Sequence, residues 1–327
     1  MNEETILKVD SLVTAFDTEQ GVIRAVEDVS FDVQAGRTLG IVGESGCGKS
    51  VTALSIMRLL PKPHGYIEKG KILFRDKDIA ALPADQMHAI RGYGISMIFQ
   101  EPMTALNPVH QIGRQIGEVF KLHFPDMADA EIWEKSVELL EKVGIPEPKG
   151  RMVEYPHQLS GGMRQRVMIA MALAGRPDIL IADEPTTALD VTIQAQILEL
   201  MMKLQRQTRM AIIFITHALG VIAEICDNVL VMYAGTVAEK APVTELFKNP
   251  RHPYTLGLLS AIPRLDNVPK TRLTTIRGMV PSLYELPDGC RFQNRCPYAM
   301  PGCGIAPPPL RPINEDHWVS CYLYLAG

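Results

Sequence analysis

The residues Gly43-Glu44-Ser45-Gly46-Cys47-Gly48-Lys49-Ser50 carry the most specific chemistry in the chain. Two glycines with four residues between them, followed by Lys and Ser, are the pattern of a phosphate-binding loop. Glycine lets successive backbone N–H groups face inward at phosphate oxygens, and the helix that begins here, running through Val51, adds its positive end. Lys49 is placed to neutralise the β- and γ-phosphates, and the Ser50 hydroxyl to ligate magnesium. The residues alone predict ATP or GTP binding with Mg2+.

Two further patterns add to this. Ile179-Leu180-Ile181-Ala182-Asp183-Glu184 is an apolar run ending in two acids. It places Asp183 towards the magnesium shell and lets Glu184 hold and deprotonate a water in line with the γ-phosphate. Leu159-Ser160-Gly161-Gly162-Met163-Arg164-Gln165 sets a serine and two glycines before a helical stretch, a second anion-ready helix start.

Of six cysteines, Cys47 and Cys226 stand alone and read as small packing residues. Cys290, Cys296, Cys303 and Cys321 crowd the end of the chain, with gaps of five, six and seventeen residues. Structural zinc sites usually pair cysteines two to four residues apart, and no such pair is present here. The wider gaps, rich in Gly and Pro, favour a [4Fe-4S] cluster on these four thiolates, with Zn2+ or unligated buried thiols as the alternatives. The predicted role is structural, since so short a tail lacks a core of its own. His317 is not counted among the ligands.

The elements that must position these groups follow from periodicity. Leu7–Val9, Val22–Val26 and Val29–Val33 alternate as antiparallel strands do. Thr38–Val42, Met97–Phe99, Ile179–Ala182, Ile212–Ile215 and Val229–Met232 read as buried strands. A helix carrying Leu54, Ile56, Met57, Leu59 and Leu60 follows the phosphate loop, stopped by Pro61. The predicted fold is α/β: a P-loop NTPase core over residues 1–260 with an antiparallel β subdomain and a helical insertion at about 101–165. A loop-rich cysteine-bearing appendage occupies 261–327.

Composition sets outer bounds. The 327 residues carry 33 Lys+Arg against 37 Asp+Glu, a net charge of −4. Hydrophobic residues make up 46%, enough for a sizeable core and against an extended disordered chain. There is no basic footprint for nucleic acid. The longest apolar window, Ala211–Ala234, contains His217, Glu224 and Asp227 and is a poor membrane span. The acidic start, Met1-Asn2-Glu3-Glu4, lacks the shape of an export signal, so a reducing compartment is expected and disulfides are not.

The motif set resembles the ATPase subunit of ATP-binding cassette (ABC) transporters, whose signature reads LSGGQ. Here Met163 replaces the glutamine. The resemblance covers residues 5–260 and implies that ATP is the nucleotide and that two such subunits close head to tail. Ser160, Gly161 and Gly162 then bind the γ-phosphate held by the partner's loop. It also implies that Gln100 senses magnesium and couples to a membrane partner, and that Asp190, in Ala188-Leu189-Asp190, lies at the dimer interface. His217 is implied to contact the γ-phosphate and Phe16 to stack on adenine.

The stretches Glu101–Pro108, Gly162–Ala170 and Arg251–Thr255, with the cysteine tail, resemble the oligopeptide/dipeptide importer branch. That implies a motor subunit on the cytoplasmic side of the inner membrane. Its partners are a second ATPase subunit, usually a paralogue, two membrane permeases and, indirectly, a substrate-binding protein. Nucleic acid is not among them. A soluble ABC-type ATPase of DNA repair or translation is the other reading. Such proteins commonly carry two cassettes or a long coiled coil, whereas one phosphate loop and one signature occur here. The peptide cargo rests on the resemblance alone.

Overall fold

Fourteen-residue strands open the chain, β1 (Thr5–Thr18) and β2 (Gly21–Gln34). The computed structural model describes residues 4–100, 105–187, 189–262 and 275–324. The expectations placed on Glu101–Thr104 and on Ala188 lie outside the described residues. The chain forms two compact units: Leu82–Ile213 with Gln34–Arg37 and the N-terminal residues to Glu4, and Thr5–Val33, Thr38–Ala81 and Phe214–Gly327.

In the second of these units the two strands predicted at 22–26 and 29–33 are one. Asp28 takes a φ of 51° inside β2, which shifts the alternation by a residue without ending the strand. β3 (Thr38–Val42) is buried at all five positions and leads into the phosphate loop and α1 (Lys49–Met57). The helix stops three residues short of the predicted Leu60. Arg58 turns left-handed, with φ 51°, and its N–H caps the carbonyls of Leu54 and Ser55.

β4 (Gly65–Phe74), absent from the sequence reading, runs antiparallel to β1 from Phe16↔Gly65 to Leu7↔Phe74, and β5 (Lys77–Asp78) follows it. The sheet order is β2-β1-β4-β5, the expected antiparallel subdomain.

In the unit Leu82–Ile213, α2 (Ala84–Ile90) precedes β6 (Ile95–Ile98), and four helices follow. They are α3 (Ile112–His123), α4 (Asp129–Lys142), the single turn α5 (Pro148–Arg151) and α6 (Gly161–Ala174). α3 buries Ile112, Ile116 and Phe120, and α4 buries Ile132, Val137 and Leu140, apolar residues at helical spacing. β7 (Ile179–Asp183) pairs in parallel with β6, Ile95 opposite Ile179 and Ile98 opposite Ala182. α7 (Val191–Thr208) follows.

The chain leaves this unit along β8 (Ala211–Thr216) and continues through α8 (Leu219–Ile225) to β9 (Asn228–Tyr233), which pairs in parallel with β3. β10 (Thr236–Pro242) turns back antiparallel on β9, a hairpin the sequence reading missed. α9 (Val243–Lys248) and α10 (Pro253–Ser260) come next. Beyond them β11 (Arg311–Pro312) and β12 (Trp318–Val319) are two-residue strands, and β12 closes on β10 with Val319 opposite Glu239. Among the described residues no helix is long and apolar enough to cross a membrane.

Candidate nucleotide site and cysteine lobe

The phosphate loop needs glycine at its two ends for different reasons. At Gly43 a Cβ would come within 2.2 Å of the Met232 carbonyl oxygen and 2.6 Å of Cys47 Sγ. Gly48 has a φ of 98°, and a Cβ there would lie 2.7 Å from the Ala25 carbonyl. Beneath the loop the turn after β9 is bonded to it, the Gly235 N–H donating to the Cys47 carbonyl. Cys47 is fully buried and burial raises its thiol pKa, which agrees with a packing role.

Lys49 opens α1 and is only 5% exposed, yet its ammonium donates to neutral carbonyls, Gly43 O at 2.9 Å and Glu44 O at 3.1 Å. A buried cation folded over a glycine cradle suits a polyphosphate, whose charge would offset the desolvation of Lys49. Ser45 and Gly46 are exposed and Ser50 is half-buried, the first helical turn carrying no acid. Asp183 is the last residue of β7 and is 4% exposed. Val51 follows in α1, half-buried.

The other acid lies just past β7. Glu184 holds a φ of 46°, sterically costly for a side-chain-bearing residue and often found at functional sites. Its Oε2 accepts from Gln100 Nε2 at 3.1 Å and from Thr187 Oγ1 at 3.0 Å. Gln100, two residues beyond β6, is exposed, so strand pairing between β6 and β7 brings these two predicted groups together.

The serine-glycine start of α6 is built as a cap. Ser160 accepts the Met163 N–H at 3.3 Å and stays exposed with Gly161. Gly162 faces Ile193, whose Cγ2 would be 3.0 Å from an added Cβ. Asp190, exposed, caps α7 through the N–H of that same Ile193 at 3.0 Å. The signature-like loop and Asp190 therefore flank one contact.

His217 is exposed one residue after β8. Phe16, half-buried near the end of β1, lies across Gly65, where an added Cβ would be 2.8 Å from its ring.

The four clustered cysteines line one small cavity together with His252 and Phe292. The Cys290 N–H donates to the Cys303 carbonyl at 2.7 Å, tying two of them directly. Burial raises the thiol pKa of Cys290 and Cys296 and carries that of Cys321 to about 11, with the neighbouring thiols adding to the effect for each. Four soft donors gathered on one cavity suit a thiolate-bound metal group, whose positive charge would favour the ionised form of the three thiols that burial holds neutral. As the side chains stand, no three metal-binding residues among those described are close enough to hold a single ion. No cysteine is in a disulfide.

The lobe is pinned at two places. Glu239 on β10 is fully buried and accepts the N–H groups of Arg251 (2.7 Å) and His252 (2.9 Å). His317 Nε2 lies 2.7 Å from the same carboxyl, which accounts for His317 without any ligand role. At the second place Arg295 forms a two-pronged pair with Glu44 of the phosphate loop, at 2.6 and 3.0 Å. Arg291 bonds the Ala234 carbonyl and Glu27. The sequence reading missed Arg291, Arg295, Tyr254 and Thr187. The only signal for the arginines was their place beside Cys290 and Cys296 in Cys290-Arg291-Phe292-Gln293-Asn294-Arg295-Cys296.

Residues 26–187 match the family model described as ABC transporter. Residues 238–303 match that of the oligopeptide/dipeptide transporter C-terminal region. The dipeptide transport ATP-binding protein DppD of Bacillus subtilis is 51% identical over 98% of this chain and 95% of its own. The chain belongs to the ABC transporter family.

The oligopeptide transport ATP-binding protein OppD of Salmonella typhimurium is 53% identical, covering 97% of this ABC ATPase and 93% of its own length. A dimeric bacterial ABC transporter cassette superposes with a TM-score of 0.66 at 26% identity, over 72% of this chain and 98% of that one. The expected α/β cassette with a P-loop core is thus the fold of this ABC ATPase, with ATP as its nucleotide. Cys290, Cys296 and Cys303 fall within the C-terminal-region match and Cys321 beyond it.

Proposed function

We propose that this chain is the ATP-hydrolysing subunit of a peptide-importing ABC transporter. The observation that carries this reading is near-full-length identity of 51% and 53% to ATP-binding proteins named for dipeptide and oligopeptide transport. The D subunit of a dipeptide importer is the specific assignment.

Binding starts at the glycine cradle of Gly43–Ser50, where Lys49 turns from the Gly43 and Glu44 carbonyls to the β- and γ-phosphates. Phe16 stacks on the adenine. Ser50, Asp183 and Gln100 are the residues that would hold Mg2+, which would supply charge neutralisation at the phosphates. Glu184 aligns a water and takes its proton at a carboxylate oxygen. The water oxygen bonds to the γ-phosphorus as the bond to the β–γ bridging oxygen breaks, leaving ADP and inorganic phosphate. His217 donates to the γ-phosphate oxygens.

Ser160, Gly161 and Gly162 complete the partner subunit's site, and Asp190 lies at that interface. ATP shared by two faces favours the closed pair, and its loss releases it. The partner is a paralogous ATPase subunit, and the pair sits on the cytoplasmic side of the inner membrane against two permeases served by a substrate-binding protein. The cassette at residues 1–260 performs this cycle. The appendage at 261–327 holds a [4Fe-4S] cluster on Cys290, Cys296, Cys303 and Cys321, with Zn2+ as the alternative; convergence of four thiols on one cavity supports it. Held there, such a group would stiffen the lobe by tying the four cysteines together.

The relatives named for transport favour this reading over a soluble repair or translation ATPase. A tagged chain recovered from detergent extract should bring down two integral-membrane proteins, and cells lacking it should lose ATP-dependent dipeptide uptake. Recovery of ribosomes or nucleic acid instead, with uptake intact, would sink the proposal.

A further inference from the structure

The phosphate loop of this protein carries an acid, Glu44, at its second position. A carboxylate there is a liability for a site that must receive a polyphosphate, because like charges a few ångströms apart repel. The acid is answered from far along the chain. Arg295 Nη1 donates to Glu44 Oε2 at 2.6 Å and Nη2 to Oε1 at 3.0 Å, both prongs of the guanidinium meeting both carboxylate oxygens.

Arg295 is itself held. Its side chain is 4% exposed, its Nε donates to the Arg277 carbonyl at 3.0 Å, and its guanidinium lies 5.7 Å from the Tyr233 ring and 6.0 Å from that of Phe292. The loop's backbone at the same residue is fixed too, since the Glu44 N–H donates to the Tyr254 hydroxyl at 2.8 Å. Tyr233, Tyr254 and Phe292 are all buried and pack edge-on or tilted with ring centroids 4.7–5.4 Å apart. Arg295 sits in the turn Gln293–Arg295, between Cys290 and Cys296.

We infer that Arg295 is a positioning residue for nucleotide binding: through Glu44 it neutralises the loop's own acid and holds the loop's second residue in place, so that the cysteine lobe supports the ATP site. The side chain never touches nucleotide. It acts by turning the Glu44 carboxylate towards the lobe and away from the phosphates, and a planar two-pronged donor does this where a lysine could make only one such bond. The inference rests on Gly43–Ser50 being the nucleotide site, which Lys49→Ala tests separately.

The experiment is equilibrium binding of a fluorescent ATP analogue with Mg2+ to the full chain, comparing wild type, Arg295→Gln, Glu44→Gln and the double variant, with melting temperatures recorded alongside. Arg295→Gln should weaken binding about tenfold, the scale of losing one charge partner at a partly buried site. In the Glu44→Gln background the same substitution should weaken it less than about twofold, because the carboxylate it answers is gone. Arg295→Lys should fall between wild type and Arg295→Gln. Wild-type affinity in Arg295→Gln overturns the inference, even if the melting temperature falls, and so does an undiminished loss in the Glu44→Gln background. If Arg295→Gln does not fold, Arg295→Lys in the two backgrounds decides on the same terms: a loss that disappears with Glu44→Gln supports it, and no loss overturns it. Should Lys49→Ala bind ATP as wild type does, the nucleotide-site reading has failed and not the positioning role.

Discussion

Gln100 Nε2 donates to Glu184 Oε2 at 3.1 Å, joining a residue two places beyond β6 to the residue that follows β7. The two strands are paired in parallel, and the register that sets Ile98 opposite Ala182 brings the two side chains to the same end of the pair. The amide orients the carboxylate, and the Thr187 hydroxyl donates to the same oxygen at 3.0 Å.

Two substitutions test that arrangement. Glu184→Gln keeps shape and hydrogen bonding but removes the base, so ATP binding should persist while kcat falls by about 10²–10⁴, the usual range for a general base. Gln100→Glu sets a second carboxylate beside Glu184. A like charge raises the pKa of the base, so the base is protonated at higher pH and the acid limb of the kcat–pH profile should move upward. Full turnover in the first variant, or an unmoved acid limb in the second, contradicts the pairing described.

Lys49→Ala should cut ATP affinity by about tenfold or more, since the ammonium is the loop's only full positive charge and is placed beside the Gly43 and Glu44 carbonyls. The check is direct titration with labelled nucleotide in the absence of turnover. An unchanged Kd would remove Lys49 from phosphate binding.

Ser160→Val removes the oxygen that caps α6 and that faces the partner's nucleotide in the proposed pair. Monomeric ATP binding, which uses the chain's own Gly43–Ser50 loop, should be unaffected. ATP-dependent pairing of the Glu184→Gln protein, followed by size-exclusion chromatography, should be lost when Ser160→Val is added. Retained pairing would show that the signature serine is only a helix cap.

What the sequence made legible was what is contiguous. The phosphate loop, Asp183-Glu184 and Ser160-Gly161-Gly162 each hold their chemistry within eight residues, so spacing alone exposes them. β4 was not legible because Gly65, Gly70 and three charged residues interrupt its alternation, and pairing along β1 decides it. The helix end at Met57 was hidden because Arg58 is an unremarkable residue in a left-handed conformation. The hold of Arg295 on Glu44 spans 251 residues and no local pattern encodes it.

The cysteine lobe gives a chemical prediction. Chain purified without oxygen should be brown, absorb in the visible range and carry about four iron and four sulfide per chain. Cys303→Ser, at the buried cysteine proposed as a ligand, whose carbonyl accepts the Cys290 N–H, should lose most of the iron. A colourless protein carrying about one zinc per chain would assign the four thiols to the alternative metal.

The fully buried pair Glu239–His317 sets the remaining test, because it is structural where the others are chemical. His317→Leu leaves the Glu239 carboxyl with the Arg251 and His252 N–H groups but without its side-chain partner, in a site that water does not reach. A buried polar group stripped of one partner costs about 1–3 kcal/mol, which for a chain of this size is a fall in Tm of several degrees. The loss should concentrate in the lobe, where β12 is held to β10 by Val319 opposite Glu239 and Trp318 opposite Lys240. Hydrogen exchange should therefore quicken around residues 311–324 while the amides of β6 and β7 keep their protection. His317→Gln, whose amide can still donate to the carboxyl, should recover part of the stability. A melting temperature equal to wild type in His317→Leu would mean that backbone N–H groups alone satisfy Glu239 and that the histidine is not what anchors the lobe.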